Sequence, residues 1–253
     1  MIHVSIIGSG NVAHHLIQAF SQSTEVQLVQ VFARNPRALS PVVNSIEIVS
    51  DFHQLKMVDV VIIAVNDDAI ASVSSLIPFE DALVVHTSGT KPMTILNHKN
   101  RQGVFYPLQT FSKAKALDFS QIPICLETQN PKDYQVLETI ARSISHSVHA
   151  ISSEQRKALH VAAVFVCNFV NHLYQIGQEI CQENQIPFEI LKPLILETAE
   201  KIKTLPPAKA QTGPAIRGDQ QTIAEHLNFL SQDSQKEIYN LLTKSIINHG
   251  TKL

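Results

Sequence analysis

The sequence predicts an α/β domain with a parallel sheet at the N-terminal side, followed by an all-helical domain. Three observations lead there. β-Branched runs alternate with helix-like stretches through the first half of the chain. A Gly-x-Gly-x-x-Ala stretch stands between the first such run and the first helix-like stretch. Beyond Ile151 the strand-like runs stop and the pattern turns helical.

Residues 4–7 form the first strand candidate and end in the glycine loop. Residues 12–22 read as a helix, with Val12, Leu16, Ala19 and Phe20 at apolar positions. Residues 26–33 are a second strand. Residues 58–65 and 82–86 are nearly continuous apolar runs, as expected of strands buried on both sheet faces. Residues 103–106 and 122–127 are shorter candidates. Residues 132–144 read as a helix and 146–151 as a last strand. Ser152 and Ser153 then precede Glu154 and Gln155, an acceptable helix start. No proline interrupts residues 154–184, and Gly177 is the one glycine there, so a helix of roughly 30 residues, about 45 Å, is expected. A second helix over residues 188–203 is broken by Leu205-Pro206-Pro207. A polar loop over 208–219 and two more helices, 220–231 and 235–248, complete the chain. The expected division is a sheet domain over 1–151 and a helical domain over 152–253.

A length of 253 residues accommodates two modest domains, and 44% hydrophobic with 17% charged residues is ordinary for a soluble globular protein. The purely apolar runs are too short to cross a bilayer, and the N-terminus lacks a basic segment followed by an apolar stretch, so a cytoplasmic protein without a membrane partner is expected. A net charge of -2 with scattered basic residues argues against a nucleic-acid partner. Cys125, Cys167 and Cys181 form no Cys-x-x-Cys pair, which speaks against a disulfide framework. The twelve histidines offer no tetrahedral ligand set, so no metal is expected.

Gly8-Ser9-Gly10-Asn11-Val12-Ala13 carries the most chemistry. A first glycine permits a tight turn, a second lets backbone approach a diphosphate, and a small third residue lets helix and sheet pack closely. The helix start presents free N–H groups and a partial positive charge to the anion. Strand, motif, helix and second strand in that order predict a Rossmann-type dinucleotide site rather than a plain glycine turn. At the end of the second strand an NAD-binding domain usually places Asp or Glu for the ribose 2′-hydroxyl. Here the segment reads Val31-Phe32-Ala33-Arg34-Asn35-Pro36-Arg37, with no carboxylate. Arg34 and Arg37, flanking Asn35, stand where a 2′-phosphate would sit, so NADP is favoured over NAD, the alternative being that both arginines are solvated surface charges. Val65 and Asn66 follow the strand at 58–65 and are expected to line the nicotinamide ribose, although Asn66 and Asp67 would also serve as helix caps.

His86-Thr87-Ser88-Gly89, the segment Phe105-Tyr106-Pro107-Leu108-Gln109-Thr110-Phe111, residues 159–169 and Thr212-Gly213-Pro214-Ala215-Ile216-Arg217-Gly218-Asp219 complete a set. With the glycine loop, that set resembles the Rossmann-like oxidoreductases that carry a C-terminal domain of unknown function 2520. These are similar in architecture to pyrroline-5-carboxylate reductase, coenzyme-F420-dependent NADP reductases and β-hydroxyacid dehydrogenases. The resemblance spans nearly the whole chain and implies an NADP-dependent oxidoreductase with a helical domain that often dimerises. It assigns no substrate. It assigns no proton donor either: Val164 stands four residues before Asn168 where β-hydroxyacid dehydrogenases have lysine, and Tyr106 precedes Pro107 where many relatives have histidine.

Hydride chemistry belongs to the cofactor, and the protein must add one proton, a task suited to histidine. His160 and Asn168, two turns apart on the long helix, are candidates, the alternative being a buried structural pair. His86 and Ser88 end a strand on the cofactor side, where ligands collect, although Ser88 could equally cap a turn. Arg217 with Thr212 is placed to hold a substrate carboxylate, or else Arg217 pairs with Asp219; Tyr106 is a further substrate-side candidate. The expected function is oxidoreduction of a small anionic metabolite in a cleft between the domains of a homodimer. The competing reading is a non-catalytic NADP-binding or sensing protein whose helical domain serves association.

Overall fold

A computed structural model of the protein describes residues 1–39 and 46–250. Its strands are β1 (Ile2–Ile7), β2 (Val26–Phe32), β3 (Glu47–Val49), β4 (Val60–Ile63), β5 (Leu83–His86), β6 (Arg101–Pro107), β7 (Ile124–Thr128) and β8 (Val148–Ala150). They form one sheet in the order β3-β2-β1-β4-β5-β6-β7-β8. Every neighbouring pair is parallel except β6 and β7. The expected all-parallel sheet is therefore corrected at one pair. Between β6 and β7 there is only a short 3-10 turn, Phe119–Gln121, and no crossover helix, so the chain returns antiparallel. The three-residue β3 was not foreseen.

β4 and β5 are buried at every position because helices cover both faces of the sheet. On one face, α1 (Asn11–Ser21) sets Ala13, Leu16, Ile17 and Phe20 against Val4, Ile6 and Phe105, with Leu137 and Ile140 from α3 (Pro131–Arg142). Asn130 starts α3 by accepting from the Asp133 N–H, ahead of a proline in the first turn. On the other face, Ile70 of α2 (Ile70–Ser75) joins Ile7, Ile63 and Val84. Each fully buried aliphatic side chain of this kind contributes about 1.5–3 kcal/mol.

The long helix runs over Ser153–Glu183. A complete capping box starts it: Ser152 accepts from the Gln155 N–H while the Gln155 side chain accepts from the Ser152 N–H. A π turn at Val164–Phe169 interrupts its regular winding. By length and composition this helix is also apolar enough to cross a membrane, although no single run of its residues suggests it. Later helices are Lys192–Lys201, Gln220–Phe229 and Asp233–Gly250. The stretch expected as a polar loop holds two short helices, Pro207–Ala210 and Pro214–Arg217, each begun by a proline. The chain divides into two compact units, Met1–Asn168 and Phe169–Leu253. The sheet ends at Ala150, so the opening turns of the long helix belong with the sheet unit; Arg156 fastens them there, as described next.

Candidate active site

Gly8 leaves β1 at φ +140°, and its N–H donates to the Phe32 carbonyl at 2.9 Å. A Cβ there would lie 2.1 Å from the Ala64 carbonyl oxygen, so β1 and β4 come this close only around a glycine. Gly10 has the opposite surroundings. Nothing lies within 4 Å of where its Cβ would be. It forms the N-cap of α1 without a side-chain cap bond, and no acidic residue stands in the first turn of that helix. The N–H groups there face a cavity of about 450 Å³ lined by residues 7–12, Phe32, Ala33, Arg34, Phe52, Val65, Asn66 and Thr87 among others. An open cradle with uncommitted N–H groups and no competing carboxylate fits a diphosphate.

Arg34 lines the cavity and is exposed, free to meet a 2′-phosphate. Asn35 is turned to another task, since its side chain accepts from the Arg37 N–H. Asn35 is not among the residues that line the cavity. Phe52 does line it and stacks on Phe32 with ring centroids 4.1 Å apart. No signal in the sequence marked Phe52. Asn66 begins a 3-10 turn without capping it, so its side chain stays available to the cavity.

Past Thr87 the chain makes a tight turn over the carboxyl end of β5. His86 is fully buried; its Nδ1 accepts from the Ser88 N–H at 3.1 Å, and its Nε2 lies 3.3 Å from the Pro92 carbonyl oxygen. Burial, and then the Arg156 charge, hold its pKa down to about 4. A neutral imidazole that accepts at Nδ1 carries its one proton on Nε2, where the Pro92 carbonyl engages it, so His86 holds a turn. Ser88 is engaged too, its hydroxyl oxygen accepting from the N–H groups of Thr90 and Lys91. Both residues expected to do chemistry at this strand end instead shape it.

Tyr106 stands near the end of β6 and is buried. Its hydroxyl lies 3.1 Å from Nδ1 of His160. Burial, with a smaller effect of Cys125, pushes the Tyr106 pKa up to about 12, so the phenol stays protonated at neutral pH. Gly89 passes beneath the pair. A Cβ on Gly89 would lie 2.6 Å from His160 Nδ1 and 2.9 Å from the Tyr106 oxygen. A residue the sequence had not singled out positions the dyad. Arg156 is fully buried one turn before His160. Its Nε donates to the Ser88 carbonyl at 3.1 Å, one terminal nitrogen to Glu127 at 2.5 Å, and the other to the Lys91 carbonyl at 2.6 Å. Ser153 also donates to Glu127, at 2.8 Å. This network ties the long helix to the β5 turn and thereby sets His160 above Gly89. Its sequence signal, a lone arginine in a helical run, is indistinguishable from a solvated one.

Asn168 is exposed within the π turn and about 12 Å along the axis from His160, so the two do not converge on one atom. Arg217 and Thr212 are exposed, and Asp219 is committed to capping the following helix through Thr222. Arg217 is not within ion-pair distance of Asp219, although, after the Thr222 hydrogen bonds, its charge also helps to lower the Asp219 pKa.

Residues 3–89 match the family described as NADP oxidoreductase, coenzyme F420-dependent, and residues 122–246 match the domain of unknown function DUF2520. A Bacteroides fragilis protein described as a "putative NADP oxidoreductase" is 38% identical over 98% of each chain, with a TM-score of 0.88. The chain belongs to this NADP oxidoreductase family. Other solved structures share the fold of this NADP oxidoreductase at lower identity. A Thermotoga maritima protein is 22% identical over 98% of each chain at a TM-score of 0.74. The imine reductase of Myxococcus stipitatus in complex with NADP+ is 12% identical over 99% of this chain and 93% of its own, at 0.66. No curated protein matches the sequence.

Proposed function

We infer that this NADP oxidoreductase passes hydride between NADP and the C=O or C=N carbon of a small anionic metabolite, with Tyr106 and His160 handling the proton. The observation that carries this reading is the Tyr106–His160 hydrogen bond at the strand ends, with Thr87 of the cofactor cavity two residues from Gly89. The bound nicotinamide supplies or takes the hydride. Tyr106 donates its O–H proton to the substrate oxygen or nitrogen as negative charge develops there. A tyrosinate left buried would be costly, so His160 passes its Nδ1 proton to the phenolic oxygen while its Nε2 takes one from solvent, which leaves both groups neutral. Val65 and Asn66 line the cofactor side of the same region. Arg217 and Thr212 are exposed, and a guanidinium of this kind suits the carboxylate of an anionic metabolite. The non-catalytic reading leaves the dyad, and the glycine cleared for it, without a task.

Arg34 supports the choice of NADP. In calorimetric titration the wild-type protein should bind NADP more tightly than NAD, and Arg34→Ala should reduce that preference by roughly tenfold, the scale of one charge-assisted contact. Equal affinities in the wild type would remove Arg34 from this role.

The assembly follows from burial. Among the described residues beyond Asn168, the buried apolar side chains are Cys181, Ala215 and Ile223, while Leu173, Leu194, Leu196 and Leu241 are exposed, as are Val161 and Val166 just before them. So much apolar surface needs cover. A second copy of the chain is the cover we favour over a membrane, because a relative matching end to end is described as an oxidoreductase. Light scattering at micromolar concentration without detergent should give twice the chain mass of 28.0 kDa. A monomer there, or a protein that needs lipid to stay in solution, would contradict the homodimer.

A further inference from the structure

We propose that Lys113, on the segment after β6, is a second anchor for the cofactor diphosphate. This rests on the NADP site described above and extends it to a residue far from the glycine motif. The segment is fastened to the start of α1 by residues of the motif and its helix. The Asn11 amide donates to the Phe111 carbonyl at 2.9 Å, and His15 Nε2 lies 3.0 Å from the Ser112 carbonyl oxygen. The His15 and Phe111 rings pack with centroids 5.2 Å apart. So held, Lys113 brings its ammonium to the glycine loop itself, donating to the Ser9 carbonyl at 2.8 Å.

The charge balance there points to an anion. An ammonium has three donors, and the Ser9 carbonyl takes one of them. Among the described residues no carboxylate forms an ion pair with Lys113. The first turn of α1 adds the positive end of a helix dipole with no acidic side chain to offset it. Burial, then His15 and Lys113, push the His14 pKa down. A cation beside the helix start, both lacking an internal counter-charge, complements the two negative charges of a dinucleotide diphosphate. That group is common to NADP and NAD, so Lys113 strengthens both and discriminates between neither, in contrast to Arg34.

The test is fluorescence titration of NADPH and NADH into full-length wild-type, Lys113→Gln and Lys113→Arg protein at two salt concentrations. Glutamine can still donate to the Ser9 carbonyl but carries no charge, so it separates the charge from the tether. Both dissociation constants should rise roughly tenfold in Lys113→Gln, with the NADPH/NADH ratio unchanged and a flatter salt dependence. Lys113→Arg should restore most of the affinity. Unchanged affinity in Lys113→Gln overturns the proposal while leaving the cofactor site standing. A loss confined to NADPH overturns it as well, because the contact would then be to the 2′-phosphate. A wild-type protein that binds neither nucleotide overturns the cofactor site and this inference together.

Discussion

Arg156→Met is expected to lower the stability of the sheet unit by about 3–5 kcal/mol, the scale for removing one partner of a buried ion pair. For a unit of this size that is roughly 6–20 °C in melting temperature. Arg156 is 1% exposed, and its partner Glu127 is 18% exposed. Without the guanidinium, Glu127 keeps a charge that only Ser153 stabilises, and the carbonyls of Ser88 and Lys91 lose their donors. Most of the loss is the cost of what is left unpaired. Arg156→Met/Glu127→Leu should therefore be more stable than Arg156→Met alone. Differential scanning calorimetry of the two variants checks both statements. A drop of under 1 kcal/mol in Arg156→Met would mean that the helix start is held by other contacts.

Tyr106→Phe and His160→Gln are each expected to reduce turnover roughly 10²–10⁴-fold, the range for losing a positioned acid, with little change in NADPH affinity. Phenylalanine keeps the packing of the buried Tyr106 ring and removes only the oxygen. Glutamine at 160 keeps a polar group but cannot exchange a proton. Neither residue lines the cofactor cavity, which is why binding and turnover should separate. Steady-state rates of NADPH oxidation with small keto and imino acids, beside nucleotide titrations, read the two effects independently.

The glycine loop was legible because its chemistry is local: Gly8 needs positive φ and close contact with Ala64, and Gly10 needs an open face. The parallel core was legible for a similar reason, since β4 and β5 must be apolar on both faces. The antiparallel return of β7 depends on what the connecting segment lacks, and an absence leaves little pattern. His160 stood out as a histidine near the start of the long helix, but its partner Tyr106 is 54 positions away and was read as a substrate contact. His86 and Ser88 drew attention by type and position, yet their polar atoms serve the turn they belong to. Arg156 escaped notice because its importance lies in neighbours brought up by the sheet, such as Ser88, 68 residues away.

The central claim, that Tyr106 and His160 act as one proton-transferring unit, is tested most directly by a double-mutant cycle on turnover. Tyr106→Phe, His160→Gln and Tyr106→Phe/His160→Gln should lose about the same activity, because removing either member already disables the pair. Independent losses that multiply in the double variant, or wild-type turnover in either single variant, would contradict the account.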